Sequence, residues 1–212
     1  MEALRAESLN AAQRGGAVQE KQLRRVTIDT TVQPKAVTYP TDSKLLHWGI
    51  EVLARLARRH GIALRQSYVR LAKWAKRDAA RLMHSGRARQ AERQVRRLRT
   101  WLGRLARDIT RKIAGDAVAQ ARFRQALGLV ERLLRQRRED RGSGKLYSLH
   151  APEVECIGKG KARARFEFGV KVSVATTNAA APGGRFVLGA RTLRGTRMTV
   201  TPSPPRSRKP SD

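Results

Sequence analysis

The sequence predicts an α/β protein in which a long, basic helical segment interrupts a set of strands. Three observations carry that prediction. An apolar, β-branched run at residues 22–33 reads as a strand, and residues 166–174 alternate with period two. Between them, residues 43–140 repeat their apolar positions at helical spacing. The chain also carries 46 Lys and Arg against 17 Asp and Glu, a formal charge of +29, and the basic residues crowd the helical segment.

Residues 1–20 read as a short helical lead, interrupted at Gly15 and Gly16. Residues 21–42 hold the first strand, with Leu23, Val26, Ile28 and Val32 as its apolar members. Pro34 and Pro40 favour an extended exit from it. Residues 43–141 form the helical insertion. Thr41 or Asp42 suits an N-cap, and Leu45, Leu46, Val52, Leu53 and Leu56 share a face until Gly61. A second helix is expected over 62–83, with Leu64, Tyr68, Leu71, Ala75 and Leu82 inward, ending at Gly86. In the third, Ala91, Val95, Leu98, Leu102, Leu105 and Ile109 step as a heptad seam, which requires a partner helix. The fourth spans 117–138, with Phe123, Leu127, Val130 and Leu134 on one side.

Residues 142–194 return to strands. Phe166, Phe168, Val170, Val172 and Val174 point one way, and Arg165, Glu167, Lys171 and Ser173 the other, so a strand with its apolar side inward is expected. Residues 185–190, RFVLGA, read as its partner across a loop with Pro182, Gly183 and Gly184. Residues 195–212 are a Pro/Ser/basic tail without core residues, expected to be disordered.

An excess of positive charge this large calls for a polyanionic partner. Nucleic acid is the default, through phosphate contacts that release counterions, with an anionic membrane surface as the weaker rival. Soluble helix faces normally mix signs, but acids are scarce here, so Arg65, Arg70 and Lys73 are read as contacts to a nucleic-acid backbone. GKGKARAR, residues 158–165, lacks P-loop spacing and reads as a basic turn whose Lys159 and Lys161 touch phosphate. Trp48, Trp74 and Trp101 fall near apolar faces and are read as core. His47, His60, His84 and His150 show no ligand spacing and are read as structural or exposed. The single cysteine, Cys156, forms no internal disulfide. With neither a signal-peptide core nor a bilayer-spanning run, a reducing cytoplasm is expected and no membrane partner.

Asp29 stands out: a carboxylate at the end of a strand, in a chain otherwise dominated by cations. An acid there is costly unless it is hydrogen-bonded, paired or bound to metal. Spacing alone favours a turn-capping role.

RVTIDTTVQPKAV, TDSKLL, LRQSYVR, LYSLHAPEVECIGKGKA and EFGVKVSVATT together resemble a bacterial insertion-sequence transposase of the DDE type, in the group related to insertion sequence five. The resemblance covers roughly residues 7–194. It implies a partial ribonuclease-H-like core with a mixed sheet, DNA as partner, and Mg²⁺-dependent cutting and joining of DNA ends in the intact family. By position, Asp29 in DTTVQ is then the first catalytic and metal-binding carboxylate. The family places a second Asp and a Glu further downstream, and this chain ends before either, so it is expected to lack catalysis. The resemblance also leaves room for self-association, or for mixed multimers with a full-length transposase. After FVLGAR, relatives continue with a segment like LPGNPYDGHT. Loss of one base from its codons yields Gly195-Thr196-Arg197-Met198-Thr199-Val200-Thr201, which is the sequence here, so a frameshifted tail and an unpaired sheet edge are expected. The competing reading is a non-enzymatic nucleic-acid-binding or regulatory protein that inhibits transposition.

Overall fold

The structure is a computed structural model that describes residues 2–23, 25–137, 139–140, 144–158, 166–178 and 184–193. The chain divides into two compact units. One is Lys35–Cys156; the other combines Met1–Pro34 with Ile157–Asp212. The class is mixed α/β, as predicted.

The Lys35–Cys156 unit is helical: α3 (Asp42–Arg59), α4 (Val69–His84), α5 (Ala88–Lys112) and α6 (Ala117–Arg135). Each starts and stops for a local reason. The Thr41 hydroxyl accepts the Lys44 N–H at 3.4 Å at the start of α3. Asp116 does the same for α6, accepting the Ala119 N–H at 2.9 Å. Gly61 and Gly86 sit just past α3 and α4 with φ of +68° and +75°. In that left-handed conformation the Ile62 N–H reaches the Ala57 carbonyl and the Arg87 N–H reaches that of Leu82, closing both helices.

The second helix is shorter than the sequence predicts. It begins at Val69 and not near residue 62, because the Ile62 N–H is spent on the α3 cap and Tyr68 takes a left-handed φ of 57°. Residues 62–68 therefore turn, and the Tyr68 ring stacks on Trp101 at 5.9 Å and 12°.

The heptad seam of α5 finds its partners inside the chain. Leu98, Leu102, Leu105 and Ile109 are fully buried with Leu46, Ile50 and Leu53 of α3 and Phe123, Val130 and Leu133 of α6. Burial of such side chains is worth about 1.5–3 kcal/mol each. Two predicted core positions are instead on the surface: Leu71 and Trp74, at 46% and 53% exposure. Val69 and Ala72 supply the packing face of α4 in their place. Downstream, Gln136 is buried and clips the following segment through two bonds: its amide donates to the Leu146 carbonyl, and its Oε1 accepts the Leu146 N–H at 2.7 Å.

The second unit opens with α1 (Glu2–Arg14) and α2 (Glu20–Leu23), then β1 (Val26–Pro34). β2 (Glu155–Gly158) follows the helical unit, and β3 (Phe166–Thr177) and β4 (Val187–Leu193) complete the sheet. β3 is central. It pairs antiparallel with β1, Asp29 opposite Val174, and antiparallel with β4, Arg191 opposite Ser173. β2 also pairs with β3. Both described registers are antiparallel, where a mixed sheet is expected from the sequence. Among the described residues, β1 pairs with β3 alone.

The strand boundaries and the inward side both differ from expectation. Residues 20–23 form a helical turn, so the strand predicted at 22–33 runs from Val26 to Pro34. The partner predicted at 185–190 runs over Val187–Leu193. In β3 the buried positions are Gly169, Lys171 and Thr177, the side predicted to be polar, with Val32 of β1 paired to Lys171. Val170, Val172 and Val174 are only half-buried, and Phe166 is exposed. Alternation identified the strand, but it did not identify which side is covered. The loop with Pro182 and Gly183, and the tail at 195–212, lie outside the described residues.

Candidate nucleic-acid interface

The turn that shortens α4 also builds a site. Residues 62–68 carry Arg65 onto the flank of α5, where its backbone N–H donates to the Asp108 carboxylate at 3.1 Å. Arg104, Arg107 and Arg111 project from successive turns of α5 beside it. These four arginines, with Tyr68, Thr110 and Asp108, line a cavity of about 550 Å³. The three α5 arginines and Arg65 are exposed, so their guanidinium groups are open to a ligand.

Asp108 holds this arrangement. It is buried, with Lys112 Nζ 3.0 Å and Arg111 3.6 Å from its oxygens. Burial by itself would raise its pKa. The Arg65 N–H, the Lys112 ammonium and the Arg111 guanidinium outweigh that and hold it below the ordinary carboxylate value. Asp108 therefore anchors the 62–68 turn to α5 and pairs with Lys112 and Arg111. Replacement of Asp108 by Ala is expected to cost about 2 kcal/mol, measured as a lower thermal midpoint. The pH dependence has a definite sign. The stabilisation is complete above the unfolded carboxylate value, about 3.9, and is lost as pH falls through the lower folded value.

A second basic surface runs along α4. Arg70, Lys73, Arg77 and Arg81 are exposed and spaced about one turn apart. The Arg77 guanidinium lies 4.9 Å from the Trp74 ring, so an exposed indole stands among the cations. The basic residues of the helices are not equivalent, however. Arg99 donates to the Leu134 carbonyl at 2.6 Å and to that of Gln136 at 3.0 Å, which makes it a structural brace between α5 and the end of α6. Arg96 and Arg135 pair with Glu92 and Glu131.

The structure thus brings Arg65 into a cluster and places Arg70 and Lys73 on the α4 surface. Lys159 and Lys161 lie outside the described residues. Asp29 belongs to the other unit. It is exposed on β1, and its Oδ1 accepts the Thr30 N–H at 2.7 Å. Its neighbours on the same side of the sheet, Thr27, Thr31, Val172 and Val174, are neutral. Among the described residues, no group of three or more His, Cys, Asp or Glu is placed to hold a metal ion. The described sheet also carries Glu155 on β2 and Glu167 on β3, but with Asp29 they form no such group, which does not fit a two-metal centre. Two features of the interface were missed in the sequence: the anchoring role of Asp108, for which a lone acid among arginines was the only signal, and the exposure of Trp74.

Fold and site together define a mixed α/β chain with a compact helical unit that presents clustered, exposed arginines. No helix among the described residues is long and apolar enough to cross a membrane. No family model matches the chain, and no solved structure does. An uncharacterized protein, ORF8 in the nfe locus of Rhizobium meliloti, is 48% identical over 85 residues, 40% of this chain. The chain thereby matches 41% of that protein's length.

Proposed function

We propose that this chain is part of a DDE-type insertion-sequence transposase and that its helical unit holds DNA by the phosphate backbone. The observation that carries the reading is the cluster of Arg65, Arg104, Arg107 and Arg111 around one cavity, anchored by Asp108. Planar guanidinium groups suit bidentate phosphate contacts, and four of them around one cavity offer contacts to more than one phosphate. The motifs from RVTIDTTVQPKAV to EFGVKVSVATT support the transposase part of the reading, with a ribonuclease-H-like core and Asp29 as first catalytic carboxylate, and the single cysteine supports the cytoplasm as compartment.

Among the described residues, Asp29 stands in no group of three or more potential metal ligands, so the metal-dependent step belongs to the intact family. The same observation favours a second reading, in which the chain binds DNA and limits transposition without catalysis, alone or in mixed multimers with a complete enzyme. Titration of duplex DNA at several salt concentrations tests the shared part. The expected slope of log K against log[salt] is about −4, near −0.9 for each phosphate contacted. A slope near zero would remove the DNA-binding reading. A nicking assay with Mg²⁺ then separates the two alternatives: nicking that disappears in Asp29→Ala establishes the enzyme, and its absence leaves the regulator.

A further inference from the structure

Helix α4 buries one face and leaves the other to solvent. Ala72, Ala75 and Ala79 are buried on the packed face. The outward face carries Arg70, Lys73, Trp74, Arg77 and Arg81, all exposed. Trp74 is 53% exposed, although an indole is among the side chains that gain most from burial. A single exposed apolar residue is ordinary. What surrounds Trp74 is not.

Residues three and four positions apart are neighbours on a helix surface. Arg70 and Arg77 thus flank Trp74 from the turns before and after it, Lys73 stands beside it in the chain, and Arg81 follows one turn beyond Arg77. The Arg77 guanidinium lies 4.9 Å from the indole, a cation–π contact. Among the described residues, no second aromatic ring packs against Trp74. The one acid of the helix, Asp78, is taken by Arg81 at 3.3 Å. The charges of Arg70, Lys73 and Arg77 are therefore not compensated within α4. From Arg70 to Arg81 the row runs about 16 Å at 1.5 Å per residue, which offers contacts to more than one phosphate.

This combination separates the candidate occupants. A second copy docked through the same face would set cations against cations. A protein partner anchored on a Trp favours a centre depleted of charge, and here the cations surround the indole. A membrane-surface helix needs a broad apolar face, and that of α4 is already packed inward. A duplex offers phosphates, but its bases are stacked on one another. An unpaired strand supplies both parts, phosphates for the cations and a bare base for the indole.

We propose that the outward face of α4 binds single-stranded DNA, with a base stacked on Trp74 and the neighbouring phosphates held by Arg70, Lys73 and Arg77. DNA as the source of the strand rests on the DNA-binding reading above. The inference goes beyond that reading in assigning an unpaired strand and a base contact, on residues other than those of the arginine cavity.

The experiment titrates the full chain with four probes: a dT dodecamer, an abasic dodecamer of the same backbone, an rU dodecamer and a blunt duplex. Anisotropy reads binding, and quenching of tryptophan fluorescence reads stacking. The dT strand is expected to bind at least tenfold tighter than the abasic one and to quench the emission. Trp74→Leu should bring that ratio close to one and remove most of the quenching, with helical circular dichroism unchanged. Trp74→Phe, which keeps a flat ring, should retain most of the ratio. Equal binding of the dT and abasic strands, or a Trp74→Leu ratio like that of the wild type, overturns the proposal. Tenfold tighter binding of rU than of dT overturns DNA as the occupant. Phosphatidylserine vesicles that shift the Trp74 emission to the blue while dT leaves it unchanged overturn the proposal in favour of a membrane surface, and self-association lost in Trp74→Leu, again without a dT effect, does so in favour of a second copy. Failure of the duplex alone removes the reading built on the arginine cavity and leaves this one standing.

Discussion

Reversing Arg104, Arg107 and Arg111 to Glu together is expected to lower duplex affinity about a hundredfold at 0.1 M salt and to flatten the salt slope by about 3. The three side chains are exposed, so the helical core beneath them is untouched and the helical circular dichroism should persist. Arg111 does pair with Asp108, but at 3.6 Å, and Lys112 remains on that carboxylate at 3.0 Å. The effect on affinity is therefore electrostatic. If the helical unit holds DNA as proposed, each reversal removes a phosphate contact and adds a repulsion. Arg99→Glu is the matched control. Its guanidinium is occupied by the Leu134 and Gln136 carbonyls, so its loss should lower the thermal midpoint and leave the salt slope alone. Fluorescence anisotropy with a labelled duplex at several salt concentrations measures both. A triple variant that binds like the wild type would move the interface away from α5.

The second large effect is expected at Gly169. It sits opposite Pro34 at the end of the β1–β3 ladder. A Cβ built there would lie 2.2 Å from the Gln33 carbonyl oxygen and 2.9 Å from the Pro34 Cα. Those are backbone atoms, which cannot swing aside as a side chain can. Gly169→Val therefore forces the end of the ladder apart, at a cost of several kcal/mol, on the order of the severe class of substitutions. The loss should be confined to the sheet. Hydrogen exchange is expected to accelerate across β1 and β3 while the amides of α3, α5 and α6 stay protected. Unchanged exchange in β1 would show that β3 approaches it less closely than described.

What the sequence revealed depended on whether a property is local. The seam of α5, the caps at Thr41 and Asp116, and the stops at Gly61 and Gly86 all follow from neighbours within a few residues, and the helices were legible for that reason. The second helix was overextended because the reversal at Tyr68 is a left-handed residue without glycine, which carries no sequence mark. The covered side of β3 was misassigned because alternation gives a period and not a direction. Lys171 is at 3% exposure while the valines beside it are half-buried. The basic character of the interface was equally plain, but its focus was not. Arg65 and Asp108 are 43 positions apart, and only the folded turn brings them together.

The long interval between paired strands also shapes how the molecule is born. Thr27 hydrogen-bonds to Asn178, 151 positions later. During synthesis β1 emerges before β3, and at about 5–20 residues per second its ladder partner follows many seconds afterwards. Through that interval the helices, whose contacts are more local, are free to form first, while β1 waits with both backbone edges bare. The order of synthesis thus leaves the helical contacts to form before the sheet closes.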